Sequence, residues 1–171
     1  MAAFLNPLKV PAMLRHSLGF GIHSPFAFGF ILDVLRLSRK YGYYAYDMIA
    51  GTRNRQLYRI SLVLGGARIA VYAGADMAAA VRQACPASRL VEKSPDFVVA
   101  DFDVASEADF EAVCACISAG VPAVIFNYGG NAALRAVRRA MPSGMTFANG
   151  TDKIVAVPSG SLPRQDFNLF F

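Results

Sequence analysis

Residue types able to do chemistry are sparse in this chain. Cysteine occurs three times, at Cys85, Cys114 and Cys116, and histidine twice, at His16 and His23. Cys114 and Cys116 stand two apart with no second Cys or His pair beside them, so they read as small residues of a packed helix and not as metal ligands. An odd, sparse cysteine count is also no disulfide framework. His23 precedes Ser24-Pro25, a good helix start because serine caps and proline is tolerated at the first helical position. A histidine there suits locking the turn by hydrogen bonds better than acting as a base, and His16 has no motif around it. The remaining concentration is basic: Arg36, Arg39, Lys40, Arg53, Arg55 and Arg59 alternate with Tyr41, Tyr43, Tyr44 and Tyr46, a composition able to meet an anionic partner. No base-reading motif accompanies it, so nucleic-acid binding ranks last among the functional readings.

Positioning those residues requires a core, and composition says there is one. The chain has 171 residues, 55% hydrophobic and 17% charged, which excludes disorder and gives room for one ordinary domain. Mean hydropathy is +0.37, yet there is no run of about 18 apolar residues such as a membrane span needs. Pro7, Lys9 and Pro11 interrupt the stretch where a signal peptide would be unbroken. The expectation is a cytoplasmic protein without a membrane partner. Net charge is +5, unevenly spread: nine Lys/Arg face only Asp33 and Asp47 up to residue 68, and eight face ten acids beyond it. A basic helical arm over residues 1–68, packed on a core over residues 69–171, is the expected organisation.

From residue 69 onward the hydrophobic period alternates. Residues 69–74, 96–102 and 122–128 read as buried strands, and 75–85, 106–120 and 130–142 as helices. Ser106 and Asp109 provide the N-terminal signature of the second helix and Gly120 its end. Two short strands then flank Asn149-Gly150-Thr151-Asp152, a hairpin signal, and residues 166–171 form a possible last strand. Repeated strand–helix–strand units followed by a hairpin predict an α/β, Rossmann-like, mainly parallel sheet with a C-terminal antiparallel hairpin. Within the arm, Phe26, Phe30, Ile31, Val34 and Leu35 form one helical stripe. A second helix is expected from about Tyr44 to Leu64, weakened at Gly51 and ended by Gly65-Gly66.

The segment Gly21-Ile22-His23-Ser24-Pro25-Phe26, followed by Tyr43-Tyr44-Ala45-Tyr46, resembles the opening of a bacterial group of class I S-adenosylmethionine-dependent methyltransferases related to the small-molecule O-methyltransferases. The resemblance continues through Pro95 to Asp101, through Ala123 to Asn127, and into the closing hairpin with its Asp-Phe-Asn-Leu-Phe-Phe end. It implies a methyltransferase-type sheet, S-adenosylmethionine as cofactor and a small-molecule acceptor. Gly74 and Asp76 would then lie at the cofactor, with Glu92 on its ribose. Asp101 would stand near the acceptor, with Asn127 and His23 as further catalytic candidates, and Asp101, Asp103 and Asn127 would be where related enzymes hold a divalent cation.

The departures from that pattern are as informative. The turn Val71-Tyr72-Ala73-Gly74-Ala75-Asp76 keeps one glycine, and the acid expected within the strand is apolar. Asn127 stands where a second metal-binding acid is expected. Lys93 to Pro95 reach about 10 Å, too short for the crossover between parallel strands, so residues 90–92 and 97–101 are not expected to be successive parallel strands. The sheet is expected to begin at residues 69–73 with at most a short addition, its strand number reduced. These features favour a degenerate, non-catalytic relative used for association, as a homodimer or with another protein, and no bound cofactor. An active methyltransferase is the alternative, and whether the chain is an enzyme stays open at this point.

Overall fold

The computed structural model describes residues 24–36, 47–150 and 152–171. His23 and the tyrosines at 41, 43, 44 and 46 lie outside them. The chain forms an α/β fold around a mixed, mostly parallel seven-stranded sheet. In chain order the elements are α1 (Pro25–Gly29, continuing as a π-helix over Phe30–Leu35), α2 (Thr52–Leu64), β1 (Arg68–Tyr72), α3 (Ala75–Ala84) and β2 (Arg89–Leu90). Then come β3 (Phe97–Asp101), α4 (Glu107–Ser118), β4 (Ala123–Phe126), α5 (Asn131–Ala140), β5 (Gly144–Asn149), β6 (Lys153–Pro158) and β7 (Gln165–Asn168). The strand order is β2-β1-β3-β4-β6-β5-β7. Strand β6 is antiparallel to both β4 and β5, and the remaining pairings are parallel.

Alternation along each strand sorts side chains onto two unlike faces. Ile69, Phe97, Val99, Val124, Phe126, Phe147 and Val155 form one cluster with Phe30, Ile31 and Leu35 of α1, Leu57 and Ile60 of α2, and Met77 and Val81 of α3. The opposite face carries Ala70, Ala100, Ala123, Ala148 and Ala156, and these small residues let α4 and α5 lie close, with Val113, Ile117, Leu134 and Val137 filling the gap. Helix α4 begins as its sequence signature predicts, with the Ser106 hydroxyl accepting from the Asp109 N–H and the Asp109 carboxylate accepting from the Ser106 N–H. Ser24 likewise caps α1, accepting from the Ala27 N–H at 3.3 Å. The arm's described helices share their core with the sheet.

The expected reduction in strand number is not found, since β2 and β7 extend the three parallel strands and the hairpin to a sheet of seven, and three further expectations need correction. Helix α2 begins after Gly51 and not near Tyr44; Gly51 is its N-cap at φ +83°, a conformation that favours glycine and breaks any helix running through it. Phe26 belongs to the predicted buried stripe but is 42% exposed, stacked on Phe30 with ring centroids 5.6 Å apart. The turn widens to π-type from Phe30 onward, so the stripe rotates away from Phe26.

The third correction concerns β2, which is parallel to β1 on one side while β3 is parallel to β1 on the other. The two are successive parallel strands after all. The short link is still obeyed, because β2 has only two residues and Leu90 and Phe97 are both level with Ile69. The chain therefore passes beneath the start of β1 without travelling back along a strand. The Asp96 N–H donates to the Arg68 carbonyl at 2.7 Å and the Asp96 carboxylate accepts from the Arg68 N–H at 3.0 Å. Gly66 makes room for this passage: a Cβ there would meet the Asp96 Cβ at 2.5 Å.

Candidate functional site

Helix α3 leaves β1 for one face of the sheet, and α4 leaves β3 for the other. The carboxyl ends of β1 and β3 thus form a topological switch point, where open α/β sheets place their ligands. An open crevice of about 530 Å³ lies there. Its walls are the first residues of α2 with their N-cap (Gly51, Thr52, Arg53, Asn54), the first residues of α3 with their N-cap (Gly74, Ala75, Asp76, Met77), Asp101 at the end of β3, and Val104 beyond it. Neither Gly51 nor Gly74 offers a side chain to cap its helix.

Asp101 is the last residue of β3 and is buried on the face that α2 and α3 cover. Asn127 follows β4 in a left-handed conformation, φ +52°, one that asparagine tolerates better than most residues. Its Nδ2 donates to Asp101 Oδ1 and to Asp103 Oδ2, each at 2.7 Å. Its Oδ1 accepts from the Arg53 guanidinium at 3.2 Å, and the same Arg53 nitrogen reaches Asp152 Oδ1 at 3.1 Å. Arg53 also lies over the Phe126 ring, 5.6 Å from its centroid. One amide and one guanidinium thereby join the ends of β3 and β4, the hairpin and the start of α2.

A buried extension runs inward from this network. Lys153 Nζ donates to Gln56 Oε1 at 2.6 Å and pairs with Asp152 Oδ2 at 3.1 Å. Burial pushes the Lys153 ammonium below its usual value, and Asp152 opposes that shift. Gln56 Nε2 in turn donates to the Leu35 carbonyl at 2.7 Å, and Arg59 Nε to the Val34 carbonyl at 2.8 Å. Two side chains of α2 therefore satisfy carbonyls at the end of α1. Of the basic residues singled out on α2, Arg59 is buried, Arg53 half-buried and Arg55 exposed.

Of the residues singled out for the cofactor, Gly74 and Asp76 line the crevice and Glu92 does not. Glu92 is exposed, within electrostatic reach of Tyr72 on the α4–α5 face. The Tyr72 phenol is held above its ordinary value first by burial, then by Cys116, Asp109 and Glu92. Asp101, Asp103 and Asn127 are brought together as a group; His23 lies outside the described residues. Among the described residues no three His, Cys, Asp or Glu side chains gather as a metal site. Cys114 and Cys116 are partly buried beside the α4–α5 core, their thiols pushed up by burial. Sequence reasoning missed Asp152, Lys153 and Gln56. Asp152 was visible only as a hairpin turn residue, and a buried Lys–Gln pair 97 positions apart leaves no local signal.

Comparison with protein-family models, with curated proteins and with solved structures gives no match. No helix among the described residues is long and apolar enough to cross a membrane.

Proposed function

We propose that this chain is a non-catalytic relative of the class I S-adenosylmethionine-dependent methyltransferases, of Rossmann-like fold, used for association. The observation that carries the reading is the β2 edge: the sheet ends there in two exposed residues, and Glu92, the acid in line to hold a ribose, stands outside the crevice. A nucleoside would find only a two-residue strand at that edge, and Glu92 is not on the crevice wall to meet its hydroxyls. Association has its own support. Phe26, Phe28, Leu62 and Val63 of α1 and α2 are 42 to 49% exposed, and a two-fold contact with a second copy is the commonest way to cover such residues. Phe30 and Leu35 are already covered within the chain and need no partner.

The test is a calorimetric titration with S-adenosylmethionine and its demethylated product. Binding no tighter than about millimolar, roughly −4 kcal/mol, is expected. Micromolar binding lost on Glu92→Ala would overturn the reading. Light scattering should show a dimer that Phe28→Asp dissociates without unfolding the chain.

An active methyltransferase acting on a small acceptor is the second reading. It is favoured by the crevice itself, which lies at the switch point with Gly74, Asp76 and Asp101 on its walls.

A further inference from the structure

Metal-dependent O-methyltransferases, relatives of the group this chain resembles, would hold a divalent cation at the places of Asp101, Asp103 and Asn127, and the donor set does not fit one. A hard cation wants several oxygen ligands. Here a nitrogen bearing two hydrogens lies 2.7 Å from each carboxylate, supplying one donor to each. The amide cannot be turned over without facing its oxygen at two anions, and that oxygen is already engaged by Arg53 at 3.2 Å.

We infer that Asn127 takes the cation's place: its amide is the built-in counterpart of the Asp101/Asp103 carboxylate pair, held in orientation by Arg53, and it positions the crevice wall in the absence of metal. The left-handed backbone at Asn127 is part of the device. It ends the strand alternation, so the side chain reaches Asp101 and Arg53 on the side that α2 covers. Arg53 contributes twice, because donation to Oδ1 polarises the amide and strengthens its N–H donors. The guanidinium also brings positive charge to a cluster that holds Asp101, Asp103 and Asp152. The outcome is a tie between β3, β4, the hairpin and α2 that a cation would otherwise have to make.

Asn127→Asp is the test, since aspartate is isosteric and tolerates the same backbone. It replaces the donor by a third carboxylate, so the variant should melt below the wild type without metal. It should then bind Mn²⁺ by calorimetry and gain about 5 °C or more in Tm when Mn²⁺ is well above its Kd. The wild type should bind no Mn²⁺ and show no such gain. Wild-type Mn²⁺ binding that is lost in Asp103→Asn would overturn the inference, as would an Asn127→Asp protein, folded or not, that is indifferent to Mn²⁺. Asn127→Gly, which keeps the backbone and deletes the amide, should also melt below the wild type; an unchanged Tm would show that the amide holds nothing. None of these outcomes depends on S-adenosylmethionine, so failure here and failure of the proposed function are distinguishable.

Discussion

The two edges of the sheet are built to different standards. At one edge β5 and β7 pair over four residues, and Phe147 lies between Phe30 at 5.1 Å and Phe167 at 5.2 Å, fully buried. At the other, β2 contributes two exposed residues, and the segment that follows is fastened by an ion pair in solvent, Arg68 to Asp96 at 2.7 Å. The difference teaches where the fold gets its stability: from aromatic packing beneath α1 at the hairpin edge, and hardly at all from the β2 edge. The crevice lies between the two regimes, with one wall on the start of α3 and the other tied to the hairpin through Arg53 and Asp152.

The largest effect is expected at the strong edge. Phe147→Ala should cost about 3–5 kcal/mol in urea unfolding, because it removes a fully buried ring from between Phe30 and Phe167 and leaves a cavity there. A loss below about 1 kcal/mol would mean that the two edges contribute alike.

Gly66→Ala is next, at about 1–3 kcal/mol, since its Cβ would stand 2.5 Å from the Asp96 Cβ and would push the passage from β2 to β3 away from β1. Amide exchange should show the damage confined to residues 66–69 and 89–97; loss of protection throughout the sheet would make the weak edge as important as the strong one. Leu90→Ala should change stability by no more than about 0.5 kcal/mol, its side chain being 38% exposed.

The smallest effect is a pH dependence at the weak edge. The Arg68 side chain, first through its hydrogen bond, holds the Asp96 carboxyl below its ordinary value of 3.8. A depressed carboxyl contributes stability above its unfolded value, and that contribution is lost as pH falls through the folded value. Both groups are solvated, so the contribution is slight. Asp96→Asn should therefore make the stability of the chain fall slightly less steeply below about pH 4, measured by urea unfolding across a pH series. An equal slope in both proteins would remove the ion pair from the description of this edge.

Much of this was legible locally. The period of the apolar residues located the longer strands and the helices that follow them. Ser106 and Asp109 marked the start of α4, and Asn149-Gly150 marked the hairpin, because caps and tight turns are determined by neighbours a few residues apart. The limit on the Lys93–Pro95 link was legible as well, and it explains why β2 is so short, although β2 and β3 remain parallel. Gly51 was read as a weakness inside a helix where it is the beginning of one; a positive φ leaves little trace in the pattern of apolar residues.

The sequence by itself determined the alternation of elements and the positions of Asp101, Asp103 and Asn127 at strand ends, since each follows from spacing along the backbone. Only the tertiary structure decided that Asn127 donates to both carboxylates, that Arg53 reaches across 74 positions to hold it, and that Lys153 meets Gln56 in the core. Those contacts depend on how α2 is laid over the sheet, and a polar group's partner in the interior is chosen by packing at long range, where the local pattern of residues carries no information.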